Sequence, residues 1–128
     1  MTTQELEILT INKYFQKDKA TRYADFVSKD KTRMKFISVL AHLKDLKYSM
    51  FEKLNRNEKD HVLRRAYQQR LDTCYVISEN TRIDRHFMAI EQALDETIGR
   101  GMGTLLILGP AKIVYYEGEA MEGRWISL

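Results

Sequence analysis

The spacing of apolar residues predicts helices through residues 1–72 and strands after them. At the start, TTQE (residues 2–5) has the Thr-x-x-Glu spacing of a capping box, and apolar residues then recur at helical intervals. The same periodicity predicts three further helices, over about residues 19–28, 30–54 and 58–71. We therefore expect a largely helical N-terminal half.

After residue 72 the apolar residues form short runs that suit buried strands. Thr81 is expected to cap one helix, which Gly99 ends, and the tight turn at Gly109 makes the strands on either side of it antiparallel. The first two strands, joined across that helix, are expected to be parallel. The predicted strands are Cys74–Ser78, Thr104–Leu108, Ile113–Tyr116 and Arg124–Leu128.

These elements predict the α+β class in a single domain spanning residues 1–128. In it, the helical portion (1–72) packs on a small mixed sheet formed by the β-α-β-β-β portion (73–128). A chain of 128 residues with 44% hydrophobic and 30% charged residues is long and apolar enough for one buried core. Disorder is excluded by the same composition.

Composition also bears on the compartment and on membranes. Cys74 is the only cysteine, which rules out an intrachain disulfide and favours a reducing, cytoplasmic setting. No apolar run approaches the roughly 18 residues of a membrane span, and the first residues lack the pattern of a secretory signal. We expect a cytoplasmic protein without membrane contact.

Charge is distributed unevenly along the chain. Residues 1–72 carry 16 Lys and Arg against 10 Asp and Glu, whereas residues 73–128 carry 5 against 8. Arg64, Arg65 and Arg70 make one face of the fourth predicted helix basic, so they are the candidate contacts to nucleic acid. Acidic residues are interspersed, however, and mixed charge weakens a phosphate-binding field. An ordinary charged surface is the favoured interpretation.

The segment SENTRIDRH (residues 78–86) leaves the first predicted strand and enters a predicted helix. A helix N-terminus offers free amides and a positive dipole, which favours an anion. The candidate ligand-binding residues for an anion are Asn80, Thr81, Arg82 and Arg85. The competing interpretation is that Asn80 or Thr81 merely caps the helix while the arginines are solvated, and it is the favoured one.

Glu79, Asp84, His86 and Glu117 are the candidate catalytic residues, since acidic side chains near strand ends can position water or a cation. They would act together only if the fold brings them into one cleft. The acidic residues around Glu117 are better explained as a solvated hairpin loop. No histidine or cysteine spacing is typical of zinc, and no phosphate-binding loop is complete, so no metal and no cofactor are predicted.

These observations favour a small, bacterial-type cytoplasmic protein that binds or regulates others through protein contacts and does not catalyse a reaction. The opposed charges of the two halves suggest a homodimer, and the C-terminal WISL, if it lies at a sheet edge, would offer pairing hydrogen bonds to a second subunit. One alternative is an enzyme acting on a phosphate-bearing small molecule or nucleic acid at residues 78–86. The other is a nucleic-acid-binding module that uses the basic helical half.

Overall fold

The computed structural model describes residues 1–128. Short 3₁₀ turns at Leu40–His42 and Tyr48–Met50 join the third helix to the first strand. The helices are α1 (Thr3–Tyr14), α2 (Lys17–Val27), α3 (Asp30–Ile37), α4 (Glu58–Gln68) and α5 (Ile90–Thr97). The strands are β1 (Phe51–Leu54), β2 (Thr73–Ser78), β3 (Phe87–Ala89), β4 (Thr104–Leu108), β5 (Ile113–Glu117) and β6 (Arg124–Ser127).

The six strands form one antiparallel sheet in the order β1-β6-β5-β4-β2-β3. This arrangement confirms the predicted α+β class, with helices from the N-terminal half packed on a sheet formed mainly by the C-terminal half. The antiparallel pair on either side of Gly109, β4 and β5, is also confirmed.

The prediction of a parallel pair in a mixed sheet is wrong. Val76 of β2 lies opposite Leu106 of β4, and these two strands run in opposite directions. The chain first reverses after β2 to form β3, and α5 then carries it from β3 to β4 on the other side of β2. The crossover helix therefore exists, but it starts from a three-residue strand that the apolar pattern had merged into the helix.

The helix predicted over residues 30–54 is likewise wrong beyond Ile37. Leu40, Leu43 and Leu46 keep the spacing of a helical stripe and are all buried, yet they lie on 3₁₀ and irregular backbone that leads into β1. The apolar spacing correctly indicated which side chains face the core, but it did not predict the backbone conformation. An irregular segment can bury residues at the same intervals as a helix.

Helices cover both faces of the sheet. Tyr75 and Ile77 of β2 face a core built with α1, α2 and α3, whereas Cys74 and Val76 face a second core built with α4 and α5. Because both faces are covered, the central strands read as continuous apolar runs. No helix has the length and apolar character needed to cross a lipid bilayer.

The capping box predicted for the first helix is confirmed. The Thr2 hydroxyl accepts a hydrogen bond from the Glu5 amide at 3.0 Å, and the Glu5 carboxylate accepts one from the Thr2 amide at 3.0 Å. Each partner satisfies a backbone donor that the start of a helix leaves free.

A buried ion-pair network ties the helical layer to the sheet. Arg33 of α3 is 4% exposed, and its guanidinium donates to Glu7 of α1 at 2.8 Å and to Asp84 at 2.6 Å. The Tyr75 hydroxyl donates a hydrogen bond to the Glu7 carboxylate at 2.6 Å, and the Ser78 amide donates one to the Asp84 carboxylate at 2.9 Å. Burial alone would lower the pKa of Arg33, but the hydrogen bonds that Arg33 donates to both carboxylates, together with their negative charges, raise it above its ordinary value. We call this set the Arg33 network.

Replacing Arg33 with methionine should destabilise the fold strongly. Arg33→Met leaves the Glu7 and Asp84 carboxylates without their counter-charge in a buried place, which typically costs about 3–5 kcal/mol. Chemical denaturation monitored by circular dichroism measures this loss. Arg56→Met removes an exposed arginine and is the matched control. A loss below about 1 kcal/mol, the range of surface ion pairs, would contradict the role given to the Arg33 network.

Candidate functional site

Residues 79–86 form a turn instead of the start of a helix. The Asn80 side chain accepts a hydrogen bond from the Arg82 amide at 3.1 Å, which is an Asx turn. Arg85 then adopts a left-handed conformation (φ +67°), and its amide donates to the Val76 carbonyl at 2.8 Å. The chain is thereby turned back along β2.

The predicted anion site therefore lacks the helix on which it depends. The helix α5 begins only at Ile90, well beyond Asn80 and Thr81. Arg82 and Arg85 are exposed, and the Arg85 guanidinium donates to Asp30 at 3.0 Å. Asn80 does have the side-chain chemistry of a helix cap, but its side chain stabilises a turn that reverses the chain.

The four candidate catalytic residues do not share one cleft. Asp84 belongs to the Arg33 network, Glu79 accepts a hydrogen bond from the Gly103 amide at 2.6 Å, and His86 is exposed at the entry to β3. Glu117 lies on the opposite face of the sheet, beside Tyr115 of the α4–α5 core. The fold thus separates the groups that a shared active site would need together.

Glu117 instead lies buried in the lining of a separate cleft of about 340 Å³. Its carboxylate is 3% exposed and accepts hydrogen bonds from the Tyr115 hydroxyl at 2.7 Å and the Gly99 amide at 2.9 Å. Arg124 contacts it at 3.3 Å and contacts Glu58 at 3.1 Å. Burial raises the pKa of Glu117, although the hydrogen bonds and Arg124 oppose the shift.

The partners of Glu117 explain why a structural role suits it. Both carboxylate oxygens are occupied, so Glu117 anchors the Gly99 loop against the end of β5. Glu58 was missed from the sequence because it lies far from Glu117 along the chain. Arg124 is only seven residues away, but it reaches Glu117 through the β5–β6 register, which the sequence spacing did not reveal. The acidic loop nearby contacts His42, through Glu119 at 3.1 Å and Glu122 at 3.2 Å. No group of three or more His, Cys, Asp and Glu residues is placed to hold a metal ion.

The basic face of α4 is compensated by its surroundings. Arg65 donates to the Ser127 carbonyl at 3.0 Å, and Lys59 pairs with Glu91 and Asp95 of α5 at 3.2 and 2.9 Å. Among the three predicted nucleic-acid contacts, only Arg64 and Arg70 are exposed. With Lys59 neutralised by two carboxylates and Arg65 held against the sheet, the two exposed arginines make a weak field for phosphates.

The C-terminal segment does not lie at a sheet edge, so the condition for its pairing with a second subunit is not met. The strand β6 lies between β5 and β1, with Ser127 opposite Phe51, so both of its sides are already paired. The strand β1, which helical spacing had hidden, takes the place at the edge. The open edges of the sheet are β1 at one end and β3 at the other.

The edge formed by β3 is the most notable feature of the surface. Its neighbour β2 pairs with it through Thr73–Ala89, Cys74–Met88 and Tyr75–Phe87. Hydrogen bonds from Val76 to His86 and from Ile90 to Asp72 flank this pairing and fix which backbone groups face β2. Because groups alternate along an antiparallel strand, the N–H and C=O of Phe87 and the N–H of Ala89 point away from the sheet. The Ala89 carbonyl is used by α5, because Ala89 is the N-cap of that helix and accepts its first hydrogen bond.

An apolar pocket of about 210 Å³ lies beside this edge, on the α1 face. The Phe87 side chain is 63% exposed, and its ring centroid lies 5.0 Å from that of Tyr75. The pocket is lined by residues from the start of α1, from β2 and β3, and from the β4–β5 turn: Met1, Leu6, Thr73, Tyr75, Phe87, Gly109 and Pro110. We call the outward backbone of Phe87 and Ala89, with this pocket, the β3 edge.

Cys74 should be chemically inert in the folded protein. Burial raises the pKa of its thiol to about 12, and only 1% of the residue is exposed, so thiolate and access are both lacking. With dithiobis(nitrobenzoate) at pH 8, the native protein should not react, while unfolded protein should react fully. A Thr73→Cys, Cys74→Ala variant moves the thiol to the adjacent exposed position and should react quickly when folded. Rapid reaction of native Cys74 would contradict the burial described.

Comparison with known proteins finds no matching family model, no matching curated protein and no matching solved structure. The function therefore has to be argued from the chemistry of this chain's own surface.

Proposed function

We propose that this protein is a non-catalytic, protein-binding module that accepts an extended segment of a partner along the β3 edge. The observation that carries the proposal is the pair of outward-facing residues, Phe87 and Ala89, on an end strand whose aromatic side chain is exposed beside an apolar pocket. In strand addition, main-chain hydrogen bonds provide affinity and pockets for alternate side chains provide specificity.

The composition of the two edges supports the choice of β3. Natural edge strands are commonly protected by charged residues, by proline or by shortness. The strand β1 carries Glu52 and Lys53, whereas β3 consists of Phe, Met and Ala. Shortness is the one protective feature of β3. It limits an added strand to the three free backbone groups at this edge, the N–H and C=O of Phe87 and the N–H of Ala89.

The two faces of the β3 edge define the chemistry of the partner. A side chain that points to the α1 face meets the apolar pocket, so an aliphatic or aromatic residue fits there. On the other face, a polar depression of about 310 Å³ is lined in part by Arg82, His86, Gln92 and Glu96. An extended segment with alternating apolar and polar residues matches this surface.

The engagement of the acidic side chains supports a binding role over a catalytic one. Asp84, Glu79 and Glu117 each accept hydrogen bonds from buried or backbone donors of the fold. A general acid or base must instead reach a substrate proton. The single buried cysteine suits a reducing, cytoplasmic setting for this activity.

Peptides selected from a random library on the immobilised protein test the proposal. The dissociation constants of selected peptides, measured by fluorescence polarisation, should rise about tenfold or more with Phe87→Asp, which places a charge beside the pocket. Ala89→Pro should have a comparable effect. The backbone of Ala89 (φ −57°) already suits proline, so the substitution removes one outward N–H without straining the fold.

Tyr67→Asp is the matched control, since Tyr67 is 84% exposed on α4. It introduces the same charge outside the β3 edge and should leave peptide affinity unchanged. If selected peptides bind equally well to Phe87→Asp and Ala89→Pro, the proposed function is wrong.

A further inference from the structure

The free backbone groups of the β3 edge have an order along the chain. They are the N–H and C=O of Phe87 and the N–H of Ala89, because the Ala89 carbonyl accepts the first hydrogen bond of α5. Before Phe87 the edge is interrupted, since Arg85 is left-handed and its amide donates to Val76. An added segment therefore meets a donor, an acceptor and a second donor, in that order.

A segment that runs parallel to β3 uses all three groups. We name four positions of the segment, first to fourth, by the residues beside them: His86, Phe87, Met88 and Ala89. In a parallel pair, each bonded residue reaches two residues of the neighbouring strand through slanted hydrogen bonds. Phe87 would donate to the first position and accept from the third, and Ala89 would donate to the third. Every group that the third position directs at β3 is thereby paired.

An antiparallel segment would leave one of its own amides unmatched. Directly opposed residues exchange both hydrogen bonds in such a pair, so the residue opposite Ala89 would direct its N–H at a carbonyl that α5 already uses. Parallel pairing is slightly less stable per residue, but an unmatched donor in an interface costs more than this difference. The free groups of the β3 edge therefore favour the parallel direction.

The side chains on the α1 face indicate where the segment is anchored. The fourth position lies beside Ala89, which pairs with Thr73, and Gly109 is next in that row, directly after β4. These small residues leave an open path from the edge to the apolar pocket, whose lining includes Thr73 and Gly109. The second position lies beside the exposed Phe87 ring. A long apolar side chain thus fits the fourth position, and a shorter aliphatic one fits the second.

The other face of the β3 edge adds a charge preference. The polar depression there carries Arg82 and His86 against the single carboxylate of Glu96. Arg85, by contrast, is already paired with Asp30. The first position lies beside His86, so an acidic side chain there complements the cationic groups.

From these observations we infer that the occupant of the β3 edge is an extended segment of another protein that runs parallel to β3. Its residues are acidic, aliphatic, polar and long apolar, in that order. The inference rests on the proposed function and adds the direction and the sequence preference of the partner. Three hydrogen bonds and one anchored side chain give a weak complex, with a dissociation constant of roughly 0.1–1 mM.

Two capped peptides separate direction from composition. The first is Gly-Glu-Val-Thr-Phe-Gly, and the second has the reversed sequence, Gly-Phe-Thr-Val-Glu-Gly. The first bound parallel and the second bound antiparallel place the same side chains beside the same residues of β3. In NMR titrations of the isotope-labelled protein, the first should bind about fivefold more tightly, because the second retains an unmatched amide. Replacing the glutamate of the first peptide with lysine should weaken its binding about threefold.

A nitroxide label on either end of the first peptide reports the direction independently. With the label at the amino end, the amide signal of His86 should broaden more than that of Glu91, and a label at the carboxyl end should give the opposite pattern. Ala89→Leu fills the path to the pocket and should weaken binding about tenfold. Gln68→Leu is the matched control, because it adds the same side chain at an exposed position of α4 and should change nothing.

The outcomes distinguish this inference from the proposed function. The reversed broadening pattern, equal affinity of the two peptides, or unchanged binding to Ala89→Leu would overturn the inference. If neither peptide shifts the β3 signals while library-selected peptides still depend on Phe87, the inference is wrong and the proposed function stands. If no peptide of either kind depends on Phe87 or Ala89, both are wrong.

Discussion

The position of β3 depends on the contact between Arg33 and Asp84. One guanidinium reaches Glu7 of α1 in one direction and Asp84 in the other, so it holds two helices and the β2–β3 turn at a single point. Moving these charges out of water is costly, and only full pairing offsets that cost. Tyr75 and the Ser78 amide complete the pairing. The turn is therefore fixed from the helical side, where it is covered by α1 and α3.

That fixed turn has a direct consequence for the surface. The left-handed backbone of Arg85 sends the chain back along β2, and α5 then leaves the sheet after only three strand residues. No further strand covers β3, because the next strand, β4, pairs on the other side of β2. The helices bury the faces of the sheet and leave this edge open, with Phe87 in the lining of the apolar pocket. The β2–β3 turn, which is held against the helical layer, thus also places β3 at the edge that forms the proposed binding surface.

The sequence alone was informative where an element was long or carried its own signal. The capping box at Thr2 was found because both partners lie within four residues. The strands β2, β4 and β5 were found because both of their faces are buried, which makes them continuous apolar runs. Residues 87–89 are too few to show a period of two, and their apolar side chains also fit the stripe of the following helix.

The site was harder to predict for a different reason. Arg33, Glu7 and Asp84 come from three distant parts of the chain, so no spacing relates them. The segment around Asn80 did carry a cap-like signal, but an Asx turn and a helix cap use the same side-chain chemistry. Charge composition drew attention to α4. In the folded protein Lys59 is paired with two carboxylates of α5, and Arg65 is held by a carbonyl of β6. The proposed binding surface is an edge of the sheet, and the topology decides which strands lie at an edge.

Amide hydrogen exchange along β3, followed by NMR in dilute protein, tests the central claim most directly. The account predicts that Met88, whose amide faces β2, is protected, while the amides of Phe87 and Ala89 exchange at close to the rate of an unstructured chain. With Arg33→Met, the protection at Met88 should fall first, because the turn that holds β3 is released. Equal protection of all three amides in dilute protein, or unchanged protection of Met88 in Arg33→Met, would contradict the account.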